Sequence, residues 1–539
     1  MLYAVSNFKV ELDESEESVR SRLIQFLEIS SELFVSAVCA RQALDARKKS
    51  HVHYVCTYEV ELACELGSLP PQVRAIECST LEPVTPEIFK QKSSTSSHVI
   101  IIGAGPAGLF AALALAESGF KVTLLERGKP VETRMRDIGR LRSRGELNPE
   151  SNICFGEGGA GTYTDGKLYT RIKHPFLRWV LHGFVRFGAR EDILVDAHPH
   201  LGTDKLVRIV RNMRNHLIDL GVDYRFETRV DDLLVNGNQV TGVRINSGDE
   251  LIADKVILAT GHSARDTFER LEELGISMEA KSFAVGVRAE HPQALINQNQ
   301  YGHFAGKGAL GAAEYKLTHQ VPDPYLNHRG VYSFCMCPGG LIVPSPTEKG
   351  RMAVNGMSNA KRGGQWANSG IVVQVTSDDI LRHGHQQSPL MGLAFQRELE
   401  EATFKAAGNQ YAAPAMRLVD FIGKRATGKL APTRFKPEAV PADLWNIFPD
   451  WLAEPLAEGI KGFGRKMRGF VSTEANLLGS ETRTSSPVRI VRDEQMQSVS
   501  LQGLYPVGEG AGYAGGIVSA AVDGLKAAEA IIGSEKTRS

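Results

Sequence analysis

Residues 99–128 read VIIIGAGPAGLFAALALAESGFKVTLLERG, and this stretch decides the fold of the chain. Four apolar residues come first, the glycine-rich turn GAGPAG follows, and an alanine- and leucine-rich segment leads into a second apolar run. This order predicts a buried strand, a tight turn, a helix and a second strand. A G-x-G-x-x-G turn between a strand and a helix indicates a dinucleotide-binding domain of the α/β class.

The glycines of this turn have distinct mechanical roles. Gly103 permits the sharp turn, Gly105 lets the backbone approach a pyrophosphate, and Gly108 lets the helix pack closely on the strand. Pro106 and Ala107 open the helix, where the missing proline N–H would have had no partner. The helix N-terminus then offers free N–H groups and a partial positive charge to a diphosphate.

The bare G-x-G-x-x-G pattern is weak evidence, because it occurs four times, beginning at Gly103, Gly156, Gly306 and Gly510. Only the first copy has a strand before it, a helix after it and an acidic residue, Glu126, at the end of the next strand. Glu126 can accept hydrogen bonds from both ribose hydroxyls. A membrane span over residues 99–116 is disfavoured by the glycines, the proline and the lack of basic flanks.

Composition limits the class of protein. The 539 residues predict about three or four domains, and 42% apolar with 23% charged residues is typical of a soluble globular protein. The formal charge of zero gives no sign of a nucleic-acid or membrane partner. Seven scattered cysteines, with no C-x-x-C pair, indicate neither a disulfide framework nor a zinc site. We therefore expect a cytoplasmic protein without a secretory leader or a metal.

Residues 1–92 are expected to form a separate accessory α/β domain. A strand-like segment at 3–12, a helix capped by Ser15 and an alternating strand at 52–62 give a β-α-β-β order that resembles a ferredoxin-like module. Two explanations stay open for the basic run 47–49, a phosphate contact or a solvated turn. Residues 92–97 are expected to be a linker rich in serine and threonine.

Two further glycine motifs lie far from the first. Residues 155–162 read FGEGGAGT, a loop that can place several N–H groups against a flat ring or an anion, with a flexible surface loop as the alternative. Residues 503–517 read GLYPVGEGAGYAGGI, a strand that ends in an acid, then glycines, then a helix. FAD is long enough to need this second contact region, and a helix that only completes the sheet is the alternative.

Together these separated motifs resemble the flavoproteins with a glutathione-reductase-like FAD domain, and within them a bacterial group of FAD-dependent dehydrogenases. The resemblance implies FAD as the cofactor, bound by an FAD-binding Rossmann domain in two parts, residues 97–282 and 481–535. An inserted α+β substrate domain at 283–480 would separate the two parts. The closing helix would aim its positive end at flavin N1 and the C2 carbonyl.

The same motifs and the resemblance predict a set of cofactor contacts. The Val230 backbone would meet the adenine, Glu509 would bind a ribityl or phosphate-side hydroxyl, and residues 259–261 would carry the chain past the cofactor. The predicted contacts are Gly103, Gly105, Pro106, Ala107, Gly108, Glu126, Arg127, Arg134, Gly156, Gly158, Gly159, Ala160, Val230, Ala259, Thr260, Gly261, Gly508, Glu509, Gly515, Gly516 and Ile517.

The inserted domain offers further candidates. If residues 333–337 form a strand, Cys335 and Cys337 share a face with Cα atoms about 6.6 Å apart, near the upper limit for a disulfide, so buried small hydrophobic side chains are favoured over a redox pair. Arg483 is either a substrate anchor or a structural partner of Glu481. The His-x-His pairs at 198–200 and 383–385 have no evident third metal ligand.

The sequence predicts an FAD-binding oxidoreductase, a dehydrogenase or reductase of unknown substrate that transfers hydride through flavin N5. NAD(P)H is a candidate electron donor, although the copy at Gly306 lacks a preceding strand and is rejected as a second dinucleotide site. No side chain is predicted as a catalytic acid or base. The alternatives are an FAD-dependent RNA-modifying enzyme and a non-catalytic flavin-binding sensor or scaffold.

Overall fold

The computed structural model describes residues 1–83, 85–90, 97–307, 310–426 and 428–536. The predicted linker at 92–97 therefore lies, except for its last residue, outside the described residues.

The first ninety residues form a four-stranded antiparallel sheet with one helix against it. Its order is β2-β3-β1-β4, and the Ser15 hydroxyl caps α1 by accepting the Ser18 N–H at 3.2 Å, as predicted. A ferredoxin-like module has the order β-α-β-β-α-β, but here a loop replaces the second helix, between Leu62 and Val73. The elements are β1 (Leu2–Glu11), α1 (Glu16–Phe26), β2 (Phe34–Asp45), β3 (His53–Leu62), β4 (Val73–Ile76) and α2 (Glu87–Lys90).

This accessory sheet is joined to the next part of the chain and does not stand apart from it. The Gln42 N–H donates to the Val195 carbonyl at 2.8 Å, and the Ala197 N–H donates to the Gln42 carbonyl at 2.9 Å. Phe89 is buried in the core of the next domain, where its ring lies 5.3 Å from that of Phe176. The boundary at residue 92 stays a prediction, and these contacts cross it.

A five-stranded parallel sheet forms the centre of the molecule. Its order is β23-β11-β5-β6-β7, with an antiparallel meander β8-β9-β10 beside it. The elements before the inserted region are β5 (His98–Ile102), α3 (Pro106–Glu117), β6 (Lys121–Leu125), α4 (Val131–Arg144), α5 (Phe176–Arg186), α6 (Thr203–Asp219), β7 (Asp223–Arg225), β8 (Val230–Asn236), β9 (Gln239–Ile245), β10 (Glu250–Ile252), β11 (Lys255–Leu258), α7 (Arg265–Glu273) and β12 (Met278–Ala280).

A seven-stranded sheet, in the order β14-β15-β18-β13-β21-β19-β20, forms the core of the region that follows β12 and ends with β21. Its neighbouring strands are antiparallel except β19 and β20, and α12 packs on one face. The elements are β13 (Phe283–Pro292), α8 (Gln293–Tyr301), β14 (Thr318–Asp323), β15 (Asn327–Cys337), β16 (Leu341–Pro344), β17 (Val354–Met357), β18 (Trp366–Val375), α9 (Ser377–Arg382), α10 (Met391–Ala406), β19 (Ala413–Arg417), α11 (Leu418–Ile422), β20 (Ala439–Pro441), α12 (Asp450–Lys466) and β21 (Asn476–Glu481).

The chain then returns to the central sheet. The last elements are β22 (Val488–Ile490), β23 (Leu504–Pro506) and α13 (Ile517–Lys536). The β23 strand pairs in parallel with β11, and α13 packs against α3, where a side chain at Gly524 would lie only 2.1 Å from the Ala107 carbonyl oxygen. The apolar segment 99–116 is thus a buried strand and helix. Across the described part of the chain, no helix has the length and apolar character needed to cross a membrane.

Candidate functional site

A cavity of about 2060 Å³ opens where the accessory sheet, the central sheet and the seven-stranded sheet approach one another. Pockets that hold drug-sized ligands measure about 300–1,000 Å³. This cavity therefore has room for an extended dinucleotide and for a second molecule beside it.

The first glycine turn is built so that side chains are excluded. Gly103 has φ +103°, and a Cβ there would lie 2.5 Å from the Ala259 carbonyl oxygen. A Cβ at Gly108 would lie 1.9 Å from the Gly103 carbonyl oxygen. Gly105 and Pro106 line the cavity at the beginning of α3. The helix N-terminus is thereby held at the cavity wall with its backbone accessible.

The second glycine loop lies directly against this turn. The Gly158 N–H donates to the Ala104 carbonyl at 2.8 Å, and a Cβ at Gly159 would lie 3.1 Å from the Gly105 Cα. The loop also meets the closing motif, because a Cβ at Gly161 would lie 2.8 Å from the Ile517 side chain. Three motifs that are far apart in sequence therefore surround one cavity.

The Arg134 side chain holds the second loop from behind. It is fully buried and donates to the backbone carbonyls of residues 152, 153, 156, 157 and 159 at 2.7–3.1 Å. These bonds occupy the guanidinium group, which does not line the cavity. The structure thus places Arg134 as a support for the loop, and the predicted direct cofactor contact has no geometric basis.

The Glu126 carboxylate is buried in the wall and accepts backbone N–H groups. Oε2 accepts from Ala104 at 2.9 Å, and Oε1 accepts from Gly128 at 2.9 Å and from Gly156 at 3.1 Å. A carboxylate has about four acceptor positions, so capacity remains for a ligand hydroxyl. Since Glu126 lines the cavity at the end of β6, it fits the predicted ribose acceptor.

The Arg127 side chain is bound mainly by protein partners. It forms ion pairs with Glu150 at 2.7 Å and Asp266 at 2.9 Å, and its guanidinium lies 4.3 Å from the centre of the Phe155 ring. Arg127 lines the cavity, but these contacts fix its orientation. It shapes the wall between the first and second glycine motifs.

Most of the predicted cofactor residues line this cavity. Gly108, Gly158 and Arg134 do not, and their contacts are with the backbone that forms the wall. The residues that do are Gly103, Gly105, Pro106, Ala107, Glu126, Arg127, Gly156, Gly159, Ala160, Val230, Ala259, Thr260, Gly261, Gly508, Glu509, Gly515, Gly516 and Ile517.

The closing motif brings a helix N-terminus and a carboxyl group to the cavity wall. Gly516 and Ile517 open α13, and the Gly515 N–H donates to the Ser519 hydroxyl at 3.1 Å. Burial raises the pKa of Glu509 to about 7, and the charge of nearby Lys281 opposes this rise. A group that can carry or lose a proton near neutral pH therefore lines the same cavity as the positive end of a helix.

Arg483 was expected to anchor substrate or to pair with Glu481, and the structure gives it another partner. The Arg483 and Arg265 guanidinium groups both bind the fully buried Glu400, at 2.9 Å and 2.8 Å. Glu481 pairs instead with Arg288 at 2.9 Å. The pairing with Glu481 is therefore wrong. Arg483 also lines the cavity, so part of its positively charged side chain faces the cavity.

A polar cluster in the cavity wall was only partly visible in the sequence. Glu314 accepts from Lys167 at 3.2 Å and from Arg362 at 2.7 Å, and Arg362 also pairs with the buried Asp165. Asp165 and Lys167 follow the second glycine loop, whereas Glu314 and Arg362 belong to the region between β13 and β21. The accessory sheet adds Tyr54 to the wall, which sequence reasoning did not foresee.

The histidine pairs lie in different settings. His200 Nε2 lies 3.0 Å from the Ala360 carbonyl oxygen, so this ring nitrogen has a hydrogen-bond partner in the backbone. His383 and His385 each place Nε2 2.9 Å from one oxygen of Glu398, and the Trp451 indole N–H lies 3.5 Å from His383 Nδ1. Among the described residues, this trio is the one group with metal-ligand spacing, and it supplies the third side chain that the sequence did not reveal.

The copy of the glycine pattern at Gly306 does not follow a strand. A single helical turn, Gly302–Phe304, precedes it, and residues 308 and 309 lie outside the described residues. Gly306 itself therefore lacks the strand context that gives the pattern its meaning.

Two family models match the chain. Residues 98–203 match the family described as FAD dependent oxidoreductase, and residues 282–484 match that described as FAD-dependent protein, C-terminal domain-like. The first covers the two glycine loops, and the second covers nearly all of the seven-stranded sheet.

Relatives extend these matches over the whole length. An uncharacterised protein of Clostridium beijerinckii is 39% identical over 99% of this chain and 99% of its own. The digeranylgeranylglycerophospholipid reductase of Haloferax volcanii is 32% identical over 45% of this chain and 51% of its own. A solved mutant of the halogenase PltM, in complex with FAD, is 12% identical over 82% of this chain and 71% of its own, with a TM-score of 0.36.

Proposed function

The chain belongs to the FAD-dependent oxidoreductases, and from that membership we propose that it transfers a hydride between FAD in the large cavity and a small molecule beside it. FAD is the cofactor, and when bound it supplies a two-electron acceptor at N5. The observation that carries the proposal is the meeting of three glycine motifs, at residues 103–108, 156–161 and 508–517, on one cavity. We further propose that 97–282 and 481–535 form one FAD domain, which the pairing of β23 with β11 supports.

Each part of the wall has a task in this proposal. The N-terminus of α3 and the second glycine loop hold the diphosphate through backbone N–H groups, because neither carries side chains that would block approach. Glu126 accepts the ribose hydroxyls. The N-terminus of α13, with Gly516 and Ile517, stabilises negative charge on the ring.

The space beside the ring is the proposed substrate site. The polar cluster of Lys167, Glu314 and Arg362 lines it from one side and Arg483 from another. NADH and NADPH are the donors to test first, and they would enter this same cavity, because Gly306 lacks the strand expected of a separate dinucleotide site. Tyr54 of the accessory sheet also faces the cavity, which supports a role for that sheet in shaping the site. A cytoplasmic location is proposed as well, and the seven free cysteines support it.

Flavin retention tests the proposal. The purified protein is expected to be yellow, and Glu126→Gln is expected to weaken FAD binding roughly 10- to 150-fold, since a charged hydrogen bond contributes about 1.5–3 kcal/mol. Glu117→Gln is the control, because Glu117 ends α3 on the far side from the cavity and pairs there with Arg186 at 2.6 Å. Wild-type affinity in Glu126→Gln, or a colourless wild-type protein that cannot be reconstituted, would overturn the proposal. Bleaching by NADH or NADPH and recovery with an acceptor separate an enzyme from a non-catalytic flavin protein.

A further inference from the structure

The end of β15 departs from regular strand geometry at the cavity. The pairing of β15 with β18 is regular up to Phe334, opposite Gly370, and resumes at Cys337, opposite Asn368. Two residues of β15 therefore oppose one of β18, which is a β-bulge. Cys335 lies in this bulge with φ +45°, a backbone conformation that costs energy for any residue with a Cβ. Bulges and such strained residues concentrate next to active sites.

The bulge changes the relation between the two thiols. In a regular strand they would stand apart on one face, but here the Cys335 and Cys337 thiols lie close enough to affect each other's charge. The Cys337 thiol also lies 3.4 Å from the Cys335 carbonyl oxygen. Cys337 is buried, whereas Cys335 is partly exposed and lines the cavity. Cys337 is therefore buried as expected, whereas Cys335 is not.

The two sulfurs differ in charge environment. The interaction with the Cys337 thiol lowers the pKa of Cys335 to about 6 against the effect of burial, and the charges of Arg288 and Lys167 act in the same direction. Arg288 is held in place because its Nη2 donates to the Cys335 carbonyl at 3.0 Å and its Nε to Glu481 at 2.9 Å. The same interaction and burial raise the pKa of Cys337. One thiol is poised as a thiolate and its neighbour as a proton donor.

We propose that Cys335 and Cys337 form a dithiol–disulfide couple that reduces a small disulfide in the cavity, with Cys335 attacking and Cys337 resolving. The Cys335 thiolate attacks one sulfur of the substrate, forms a mixed disulfide and expels a thiolate, which is protonated. Cys337 then gives up its proton and attacks the Cys335 sulfur, so that the second substrate thiol leaves and the Cys335–Cys337 disulfide forms. The substrate gains two electrons and two protons: the protein supplies both electrons and the Cys337 proton, and water supplies the second proton.

The couple is restored by the reduced flavin of the proposed function, on which this part of the inference rests. Two electrons and two protons pass from the reduced cofactor to the protein disulfide, which returns both sulfurs to the thiol state. The thiol chemistry with an external disulfide does not need the flavin. The two steps can therefore be tested separately.

A second thiol pair in the chain provides a matched control. The thiols of Cys39 and Cys56, on neighbouring strands of the accessory sheet, also lie close enough to affect each other's charge. Neither lines the cavity. A reaction that depends on the cavity should distinguish the two pairs.

The first experiment uses the reduced protein, incubated with hydroxyethyl disulfide, alkylated and mapped by mass spectrometry. A Cys335–Cys337 disulfide is expected in the wild type, a mixed disulfide trapped on Cys335 in Cys337→Ser, and neither in Cys335→Ser. The Cys39→Ser/Cys56→Ser double variant should behave as the wild type. Cys337→Ala provides a second substitution at the resolving position. Circular dichroism of each variant shows whether it is folded, which separates a lost reaction from a lost fold. Absence of the wild-type disulfide in folded protein would overturn the proposal.

The second experiment counts electrons in the flavin-loaded protein during anaerobic titration with dithionite. After oxidation by the same disulfide and removal of the excess reagent, the wild type should take up two electrons per chain more than Cys335→Ser, which forms neither disulfide, because a disulfide is a two-electron couple. Equal uptake would show that the pair does not exchange electrons with the site. A protein without flavin would refute the proposed function instead, and the mapping experiment would still decide the thiol chemistry.

Discussion

Replacing Glu400 by glutamine should destabilise the protein strongly, because this carboxylate neutralises two buried cations. Its oxygens accept five hydrogen bonds of 2.7–3.0 Å from Arg265, Thr482 and Arg483. All three charged side chains are at most 5% exposed. Glu400 lies on α10, Arg265 on α7 and Arg483 just after β21, so the cluster ties the central sheet to the seven-stranded sheet.

The magnitude follows from what the substitution leaves behind. Charged hydrogen bonds contribute about 1.5–3 kcal/mol each, but five of them cannot be summed, since burying the charges costs a comparable amount. Removing one partner of a buried ion pair costs about 3–5 kcal/mol. With a urea dependence of about 3 kcal/mol/M, the unfolding midpoint should fall by roughly 1–2 M.

Urea unfolding followed by tryptophan fluorescence measures this shift. Glu401→Gln is the matched control, because Glu401 is the next residue, is exposed and pairs only with Lys405 on the same helix at 2.7 Å. Its midpoint should not change measurably. Although burial opposes ionisation, Arg265 and Arg483 hold the pKa of Glu400 well below its usual value of 4.5. The stabilisation is therefore complete above pH 4.5 and is lost as the pH falls through the lower folded-state pKa. Equal midpoints for the Glu400 and Glu401 variants at neutral pH would refute the reasoning.

Three further predictions concern the cavity and the histidine cluster. Gly159→Ala should lower the free energy of unfolding by about 1–3 kcal/mol, since Gly159 has φ 64° and ψ −166°, and it should also weaken FAD binding. The control Gly145→Ala, at a residue with φ 67° and open space around it, should lower stability only. Thermal melting measures the stability, and fluorescence titration measures the FAD affinity. Burial raises the pKa of Glu509 to about 7, so the folded state binds the proton more tightly than the unfolded state. The flavin-free wild type should therefore lose stability relative to Glu509→Gln as the pH rises from about 4.5 to 7. A difference in the free energy of unfolding between the two proteins that stays constant over this range would contradict the prediction. The cluster of His383, His385 and Glu398 is expected to hold no metal in the purified protein, because the His383 ring nitrogens already have Glu398 and Trp451 as hydrogen-bond partners. Elemental analysis tests this prediction. Stoichiometric zinc or iron that is lost in Glu398→Gln would contradict it.

Local patterns predicted the central features of the fold. The strand, turn and helix around Gly103 could be read because glycine positions, apolar runs and the acid at Glu126 are all set by neighbours along the chain. The closing helix at Ile517 was equally accessible, since its glycines immediately precede it. The remote side-chain pairings were not, because no periodicity connects Glu400 with Arg265 and Arg483.

Irregular backbone explains two places where the structure departs from expectation. The expected spacing of Cys335 and Cys337 presumed an unbroken strand, and a bulge shifts every later side chain without leaving a clear mark in the sequence. Arg134 was assigned to the cofactor from the resemblance to the flavoproteins. Its five backbone carbonyl partners belong to an irregular loop whose path cannot be read from residue types.

The pairing of β23 with β11 has a consequence for biosynthesis. On the ribosome the chain is made from its N-terminus, and β11 emerges more than two hundred residues before β23. Until then β11 is an unpaired edge of the central sheet, and the cavity lacks the lining residues of the closing motif. If these residues hold the cofactor as proposed, a nascent chain lacks their contacts until residue 517 has left the exit tunnel, and full flavin binding then reports that this region has been translated.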